Sequence, residues 1–147
     1  MQDLLPGCAY AVPICDDRYA VIYCLVVGRD HCTLSCFFGQ CLQELPTVQD
    51  CEVRPPIGHF LHGPMGVHEG RWKLIGRLPG VAPETYIVDE FREPFLPLVM
   101  TLDRQTLRPI RHRESTRGDE DLPTYVIRGH GAMEVVLFQA CCGLPWS

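Results

Sequence analysis

Three cysteines and a histidine lie close together in the first third of the chain. Cys32, Cys36 and Cys41 follow His31, and thiolates and imidazoles are the usual ligands of tetrahedral zinc. The spacing is unlike that of a zinc knuckle, because three and then four residues separate the cysteines. On a strand, which rises ~3.3 Å per residue, Cys32 and Cys36 would also stand more than about 10 Å apart. We therefore interpret these cysteines as reduced thiols in the core.

Three histidines form a second candidate site. His59, His62 and His68 could line a metal or proton-transfer site if this segment folds back on itself. They lack the i, i+4 register of the His-Glu-x-x-His zinc motif, and Pro64 with its neighbouring glycines excludes a helix here. We interpret them as structural or surface histidines, and a metal-dependent enzyme stays open as an alternative.

A cysteine nucleophile is the third kind of chemistry to consider. His130, between two glycines, could present its imidazole to a thiol such as Cys8, but no orienting residue or oxyanion motif accompanies the pair. The chain also contains no Walker A loop, no dinucleotide-binding glycine motif and no nucleophile elbow. The sequence thus predicts no catalytic residue, no metal ligand and no cofactor.

Charge is distributed in blocks along the second half of the chain. The 13 cations and 18 acids give a formal charge of -5, which argues against general attraction to nucleic acid. Residues 84–93 and 114–121 each hold four acids against one arginine, a local balance of -3. These blocks are interpreted either as a solvated surface with weak ion pairs or as an acidic docking patch for a cationic partner. The patch would comprise Glu84, Asp89, Glu90, Glu93, Glu114, Asp119, Glu120 and Asp121.

A run of four arginines between the two acidic blocks supports a rival hypothesis. Arg104, Arg108, Arg111 and Arg113 could follow the phosphates of a nucleic acid along a small β-barrel. Such binding would weaken steeply as the salt concentration rises.

Turn residues and alternating apolar residues divide the chain into many short strands. Residues 5–14 and 18–28 predict a hairpin, because two strand-like runs flank an Asp-Asp turn. In residues 31–39, apolar side chains alternate with polar ones, which predicts a third strand. Further strands are predicted at 57–61, 71–77, 85–91, 95–103, 106–113 and 124–128, with a hairpin turn at Arg104-Gln105.

Helix is predicted in two places. Residues 40–49 could hold a short helix that Pro46 limits to about one or two turns. Near the C-terminus, Met133, Val136 and Leu137 share one side of a helix.

The expected architecture is α+β and mostly β, because short strands far outnumber helices. We expect one domain over residues 1–147, built as a bent antiparallel sheet or a partly open barrel with a short C-terminal helix. The longest apolar run, at 19–27, is nine residues long and too short to span a membrane as a helix. The first residues lack the features of a signal peptide, so we expect a cytoplasmic protein whose nine cysteines are reduced.

The segment "GRWKLIGRLPG" at residues 70–80 places a tryptophan between two cations. On a strand, Trp72 and Leu74 would face one side, and Arg71 and Lys73 the other. We interpret Trp72 as a core anchor whose cationic neighbours stay in water. The alternative is an exposed aromatic hot spot for a partner.

This segment also carries a resemblance to a known family. It resembles the Gly-x-Trp-x-x-Ile-Gly-x-x-Pro element of the bacterial immunity protein 26 family, at Gly70, Trp72, Ile75, Gly76 and Pro79. The start of the chain, "PG" followed by "YAVPI" and "RYAVIYCLVVG", is similar to the first strands of that family.

The resemblance implies an immunity protein that binds and neutralises a cognate bacterial polymorphic toxin. Inhibition would occur by occlusion, without catalysis, in the cytoplasm of the producing cell. The composition is consistent with a basic protein toxin as the partner, because a chain of charge -5 is attracted to a cationic surface. Neither nucleic acid nor a membrane is an expected partner.

Overall fold

The computed structural model describes residues 3–146, in which two sheets and two helices form. The strands are β1 Cys8–Pro13, β2 Tyr19–Val27, β3 Thr33–Leu42, β4 Gly58–His62, β5 Lys73–Arg77, β6 Glu90–Arg92, β7 Leu98–Leu102, β8 Pro109–Glu114 and β9 Ile127–Arg128. The helices are α1 Met65–His68 and α2 His130–Cys141, and 3-10 turns form at Val48–Asp50, Pro83–Tyr86 and Arg117–Asp119. This mostly β architecture with a short C-terminal helix confirms the expected fold class.

The larger sheet is built around the N-terminal hairpin. Its strand order is β5-β1-β2-β3-β4-β9, with all neighbours antiparallel except β4 and β9. The predicted hairpin is confirmed, because β1 and β2 pair from Ala9 with Tyr23 to Pro13 with Tyr19. Three bulges, one in the pairing of β1 with β5 and two in the pairing of β2 with β3, bend the sheet, which stays open.

Strand β2 is apolar along its length because both faces of the sheet are covered. Ile22 belongs to a first core, against which α2 packs Met133 and Leu137. Tyr23 belongs to a second core on the opposite face, which also contains Phe91 from β6. Burial on both faces explains the near-continuous run of apolar residues in the sequence.

The smaller sheet has the order β6-β7-β8 and contributes to the second core. Strands β7 and β8 form the predicted hairpin, pairing from Leu98 with Glu114 to Leu102 with Pro109. Strand β8 is an edge strand, and all six of its residues are exposed. Within residues 3–146, neither helix has the length and apolar character needed to cross a membrane.

Several predicted elements differ from the structure. The helix expected in residues 40–49 is wrong, because β3 continues to Leu42 and only the 3-10 turn Val48–Asp50 follows. Conversely, α1 forms where Pro64 was expected to exclude a helix, and Pro64 itself is the residue that precedes its first turn. Proline is tolerated at this boundary because the first turn needs no N–H from it.

The strand around Trp72 also differs from its prediction. Strand β5 begins at Lys73, and the Trp72 N–H donates to the Gly66 carbonyl in α1 at 2.8 Å instead of to a neighbouring strand. Leu74 was expected to face inward with Trp72, but it is 39% exposed because β5 is an edge strand.

A disulfide joins two distant parts of the chain. The expectation of reduced thiols is wrong for Cys41 and Cys141, which lie 100 residues apart in sequence and are bonded in the structure. Strand β3 and the last turn of α2 bring their Cα atoms to 6.3 Å, within the usual range for a disulfide. The other seven cysteines are free thiols, and burial raises the pKa of Cys24 and of Cys36 to about 12.

Candidate functional site

The three histidines of the second candidate site face different surroundings. His62 Nδ1 lies 2.9 Å from the Gly63 carbonyl and therefore donates to it, which leaves Nε2 to accept from the Ser35 hydroxyl at 2.8 Å. His59 Nε2 lies 2.8 Å from the Tyr86 carbonyl, and His68 Nε2 lies 3.2 Å from an Asp3 carboxylate oxygen. Across residues 3–146, no group of three His, Cys, Asp or Glu side chains is arranged to hold a metal ion.

The Ser35–His62 pair has the polar contact of a nucleophile and its base, but it lies inside the molecule. Both side chains are fully buried, and burial lowers the pKa of His62 to about 4. A substrate therefore has no path to this pair, which instead satisfies two polar groups in the core. The pair was missed in the sequence because it depends on the pairing of β3 with β4.

The third candidate pair is not assembled either. Cys8 is buried in the first core, whereas His130 begins α2 and lies 3.9 Å from the Glu69 carboxylate. No hydrogen bond joins Cys8 to His130 in the described chain.

Trp72 is fully buried, as expected for a core anchor, and its polar edge is satisfied by α2. The indole Nε1–H donates to Glu134 at 3.1 Å, and Arg71 donates two hydrogen bonds to the same carboxylate at 2.6 and 2.5 Å. Burial raises the pKa of Glu134, but the hydrogen bonds from Arg71 and Trp72 outweigh it and hold the pKa below its usual value. Arg71 is thus an ion-pair partner, although its side chain remains 52% exposed.

The remaining positions of the resemblance motif lie before, within and after β5. Gly70 has a positive φ of 74° and ends the turn after α1, while half-buried Ile75 packs against the second core. Gly76 has a φ of 145°, and a Cβ there would lie 2.8 Å from a Val48 methyl carbon. Pro79 lies in the exposed turn that follows β5.

Half of the predicted acidic patch is already engaged within the chain. Asp89 forms a bidentate pair with Arg104 at 2.8 and 2.9 Å. Arg113 lies 3.1 Å from Glu90 and 2.8 Å from Asp119. The hydrogen bonds from Arg113 are the main cause that lowers the pKa of Asp119.

Glu93 is engaged in a different way, since its carboxylate holds a loop. One Glu93 oxygen accepts the backbone N–H of Phe95 at 2.7 Å and also that of Leu96. The other four acids of the patch, Glu84, Glu114, Glu120 and Asp121, are exposed and form no ion pair within residues 3–146.

The four arginines of the rival hypothesis are mostly neutralised. Arg104 and Arg113 bind the acids described above, and Arg108 binds Asp30 at 2.6 Å. Arg111, on β8, is exposed and forms no ion pair in the described part of the chain.

A cleft of about 420 Å³ lies beside the second acidic block. Glu120 and Asp121 border it, and Ile57 and Trp146 contribute apolar surface. The Arg128 guanidinium carbon lies 5.6 Å from the centre of the Phe60 ring in the wall of the cleft. The cleft is thus mixed in polarity, with carboxylates at its border and aromatic surface in its wall.

The most exposed large apolar side chain in the described structure belongs to Phe95, between β6 and β7. It is 90% exposed, and the neighbouring Leu96 is 58% exposed. Both residues lie in the run 95–103 that was predicted as a strand, but β7 begins only at Leu98, so this part of the prediction is wrong. The pattern Glu-Pro-Phe-Leu-Pro-Leu, two apolar residues enclosed by prolines, is the signal that could have identified an exposed turn here.

No protein-family model, curated protein or solved structure matches the chain.

Proposed function

We propose that this chain is an immunity protein that binds a basic bacterial toxin and neutralises it by occlusion, without catalysis. The observation that carries the proposal is a group of exposed acids that form no ion pair within residues 3–146. Glu114, Glu120 and Asp121 are exposed and unpaired among the described residues, and they belong to a block of four acids against one arginine. The motif around Trp72 supports the same proposal through the family resemblance.

The physical basis of the proposal is electrostatic steering. A chain of formal charge -5 attracts a cationic toxin, and exposed carboxylates around the contact raise the association rate. Fast capture suits an inhibitor that must reach a toxin before the toxin reaches its target. We place this encounter in the cytoplasm of the producing cell, with neither nucleic acid nor a membrane as partner.

The rival hypothesis of nucleic-acid binding is less well supported by the charges. Three of its four arginines form ion pairs with carboxylates of the same chain, so less of their charge is available to phosphates.

Co-expression with a toxin tests the proposal. The toxin domain encoded by the adjoining reading frame would be induced in bacteria with and without this protein, and growth would be followed. We expect the protein to restore growth and to form a stoichiometric complex with an inactive form of the toxin domain in size-exclusion chromatography. Absence of both protection and complex formation would contradict the proposal.

A further inference from the structure

The loop that carries Phe95 is held rigid by its own residues. Pro94 and Pro97 each fix a backbone φ angle, and the Glu93 carboxylate accepts the N–H groups of Phe95 and Leu96. The Glu93 N–H donates to the Leu98 carbonyl at 2.9 Å and closes the base of the loop. We call residues 94–97 the Phe95 tip.

Single exposed apolar residues are common on protein surfaces, so exposure alone does not mark Phe95 as a binding residue. The rigidity of its loop is the second property that does. A mobile phenylalanine would lose conformational freedom on binding, whereas a preorganised one loses little. The Phe95 tip thus combines a 90% exposed aromatic ring with a backbone that is already ordered. Exposed, ordered aromatic residues are the usual anchors of protein–protein interfaces.

Two backbone contacts join the segments that carry the unpaired acids to the Phe95 tip and to β6 just before it. The Ser115 N–H donates to the Pro97 carbonyl at 2.9 Å, and Glu114 directly precedes Ser115. The Arg92 N–H donates to the Pro123 carbonyl at 2.7 Å, so the segment that follows Glu120 and Asp121 runs beside the end of β6. We call these three acids, on the segments that contact the base of the loop, its acidic border.

We propose that Phe95 inserts into an apolar pocket of the toxin whose border carries lysine or arginine side chains. These cations would pair with Glu114, Glu120 and Asp121 around the buried ring. This inference rests on the proposed function and assigns the contact face and the chemistry of the partner surface.

The acidic border favours a cationic protein as the binding partner over a second copy of the chain or a lipid surface. A second copy of the chain would bring like charges together, which is unfavourable at an interface. An anionic lipid surface would be repelled in the same way. A cationic protein surface is the occupant that matches both the ring and its border.

The test measures binding of the inactive toxin domain to variants by calorimetry. Phe95→Ala is expected to lower the affinity at least ~30-fold, the usual threshold for a hot-spot residue. Because the ring is 90% exposed, the melting temperature should not change. Leu45→Ala is the matched control, since Leu45 is 52% exposed on a different loop and should leave the affinity unchanged.

Glu93→Ala provides a second variant that leaves Phe95 in place. Removing the carboxylate frees the N–H groups of Phe95 and Leu96, so the affinity should fall while the amide order parameters of these two residues decrease. Binding of wild type and Phe95→Ala with equal affinity would overturn this inference and leave the proposed function intact. Failure of the wild-type protein to bind would overturn both. A wild-type dimer that Phe95→Ala dissociates would also overturn the inference, because the tip would then bind a second copy.

Discussion

At the scale of single residues, Glu134 connects a buried side chain of the first core to an exposed one. Its carboxylate accepts hydrogen bonds from Trp72 and from Arg71, which join the segment before β5 to α2. The indole N–H would otherwise be a buried donor without a partner, at a cost of about 1–3 kcal/mol. One acid therefore allows a tryptophan to be fully buried next to an arginine that reaches solvent.

His62 predicts how stability depends on pH. Burial lowers its pKa in the folded chain to about 4 from an ordinary value of 6.5. Between these values the unfolded chain binds a proton that the folded chain does not, so the free energy of unfolding rises with pH. It should fall by about 3 kcal/mol as the pH decreases from 7 to 4, as measured by urea denaturation. His59, whose pKa burial also lowers, acts in the same direction.

Substitutions separate this effect from general acid denaturation. His62→Gln should flatten the dependence of unfolding free energy on pH between 4 and 6.5, whatever its effect on absolute stability. His112→Gln, on the exposed strand β8, is the control and should keep the wild-type slope. Equal slopes for wild type and His62→Gln would refute this assignment.

At the scale of elements, α1 packs so closely against the segment before β5 that Gly66 lies directly against the Trp72 ring. A Cβ on Gly66 would overlap two ring carbons of Trp72, and that ring is held by its hydrogen bond to Glu134. Gly66→Ala should therefore displace α1 and lower the free energy of unfolding by about 1–3 kcal/mol, measured by urea denaturation.

Gly63 supplies a matched control for the same change. A Cβ there has no neighbour within 4 Å, and its φ is not in the left-handed region. Gly63→Ala should alter stability by less than about 0.5 kcal/mol. Equal effects of the two substitutions would contradict the close approach of α1 to the indole.

The disulfide connects the end of β3 to the last turn of α2. Because it closes a loop of 100 residues, its removal should lower the free energy of unfolding by about 2–5 kcal/mol. Urea denaturation of the Cys41→Ser, Cys141→Ser double variant would measure this change, with Cys142→Ser as the control that keeps the bond. Alkylation of all nine cysteines in unfolded, unreduced protein would show that the bond is absent.

At the scale of the whole molecule, charge determines the approach of the proposed partner. A variant with Glu114→Gln, Glu120→Gln and Asp121→Asn should bind the toxin domain with an association rate roughly tenfold lower at low salt. The difference should shrink as salt screens the charges. Glu44→Gln, a neutralisation away from this surface, is the control. An association rate that does not depend on these three acids would argue against steering.

Local patterns in the sequence determined much of the fold. Alternating apolar residues and turn residues act over a few positions, and they predicted the N-terminal hairpin, β3, β4, the β7–β8 hairpin and the buried side of α2. The motif around Trp72 likewise indicated a buried indole, which the structure confirms. Net charge and the two acidic blocks can also be counted from the sequence.

Tertiary structure alone decided which side chains meet. Arg71 lies 63 positions from Glu134, Arg108 lies 78 from Asp30, and Cys41 lies 100 from Cys141. Such contacts depend on how distant elements pack, which no local periodicity encodes. For this reason the acids can be counted from the sequence, but paired Asp89 and Asp119 cannot be distinguished there from unpaired Glu120. The exposure of Phe95 on the tip between β6 and β7 is likewise visible only in the structure.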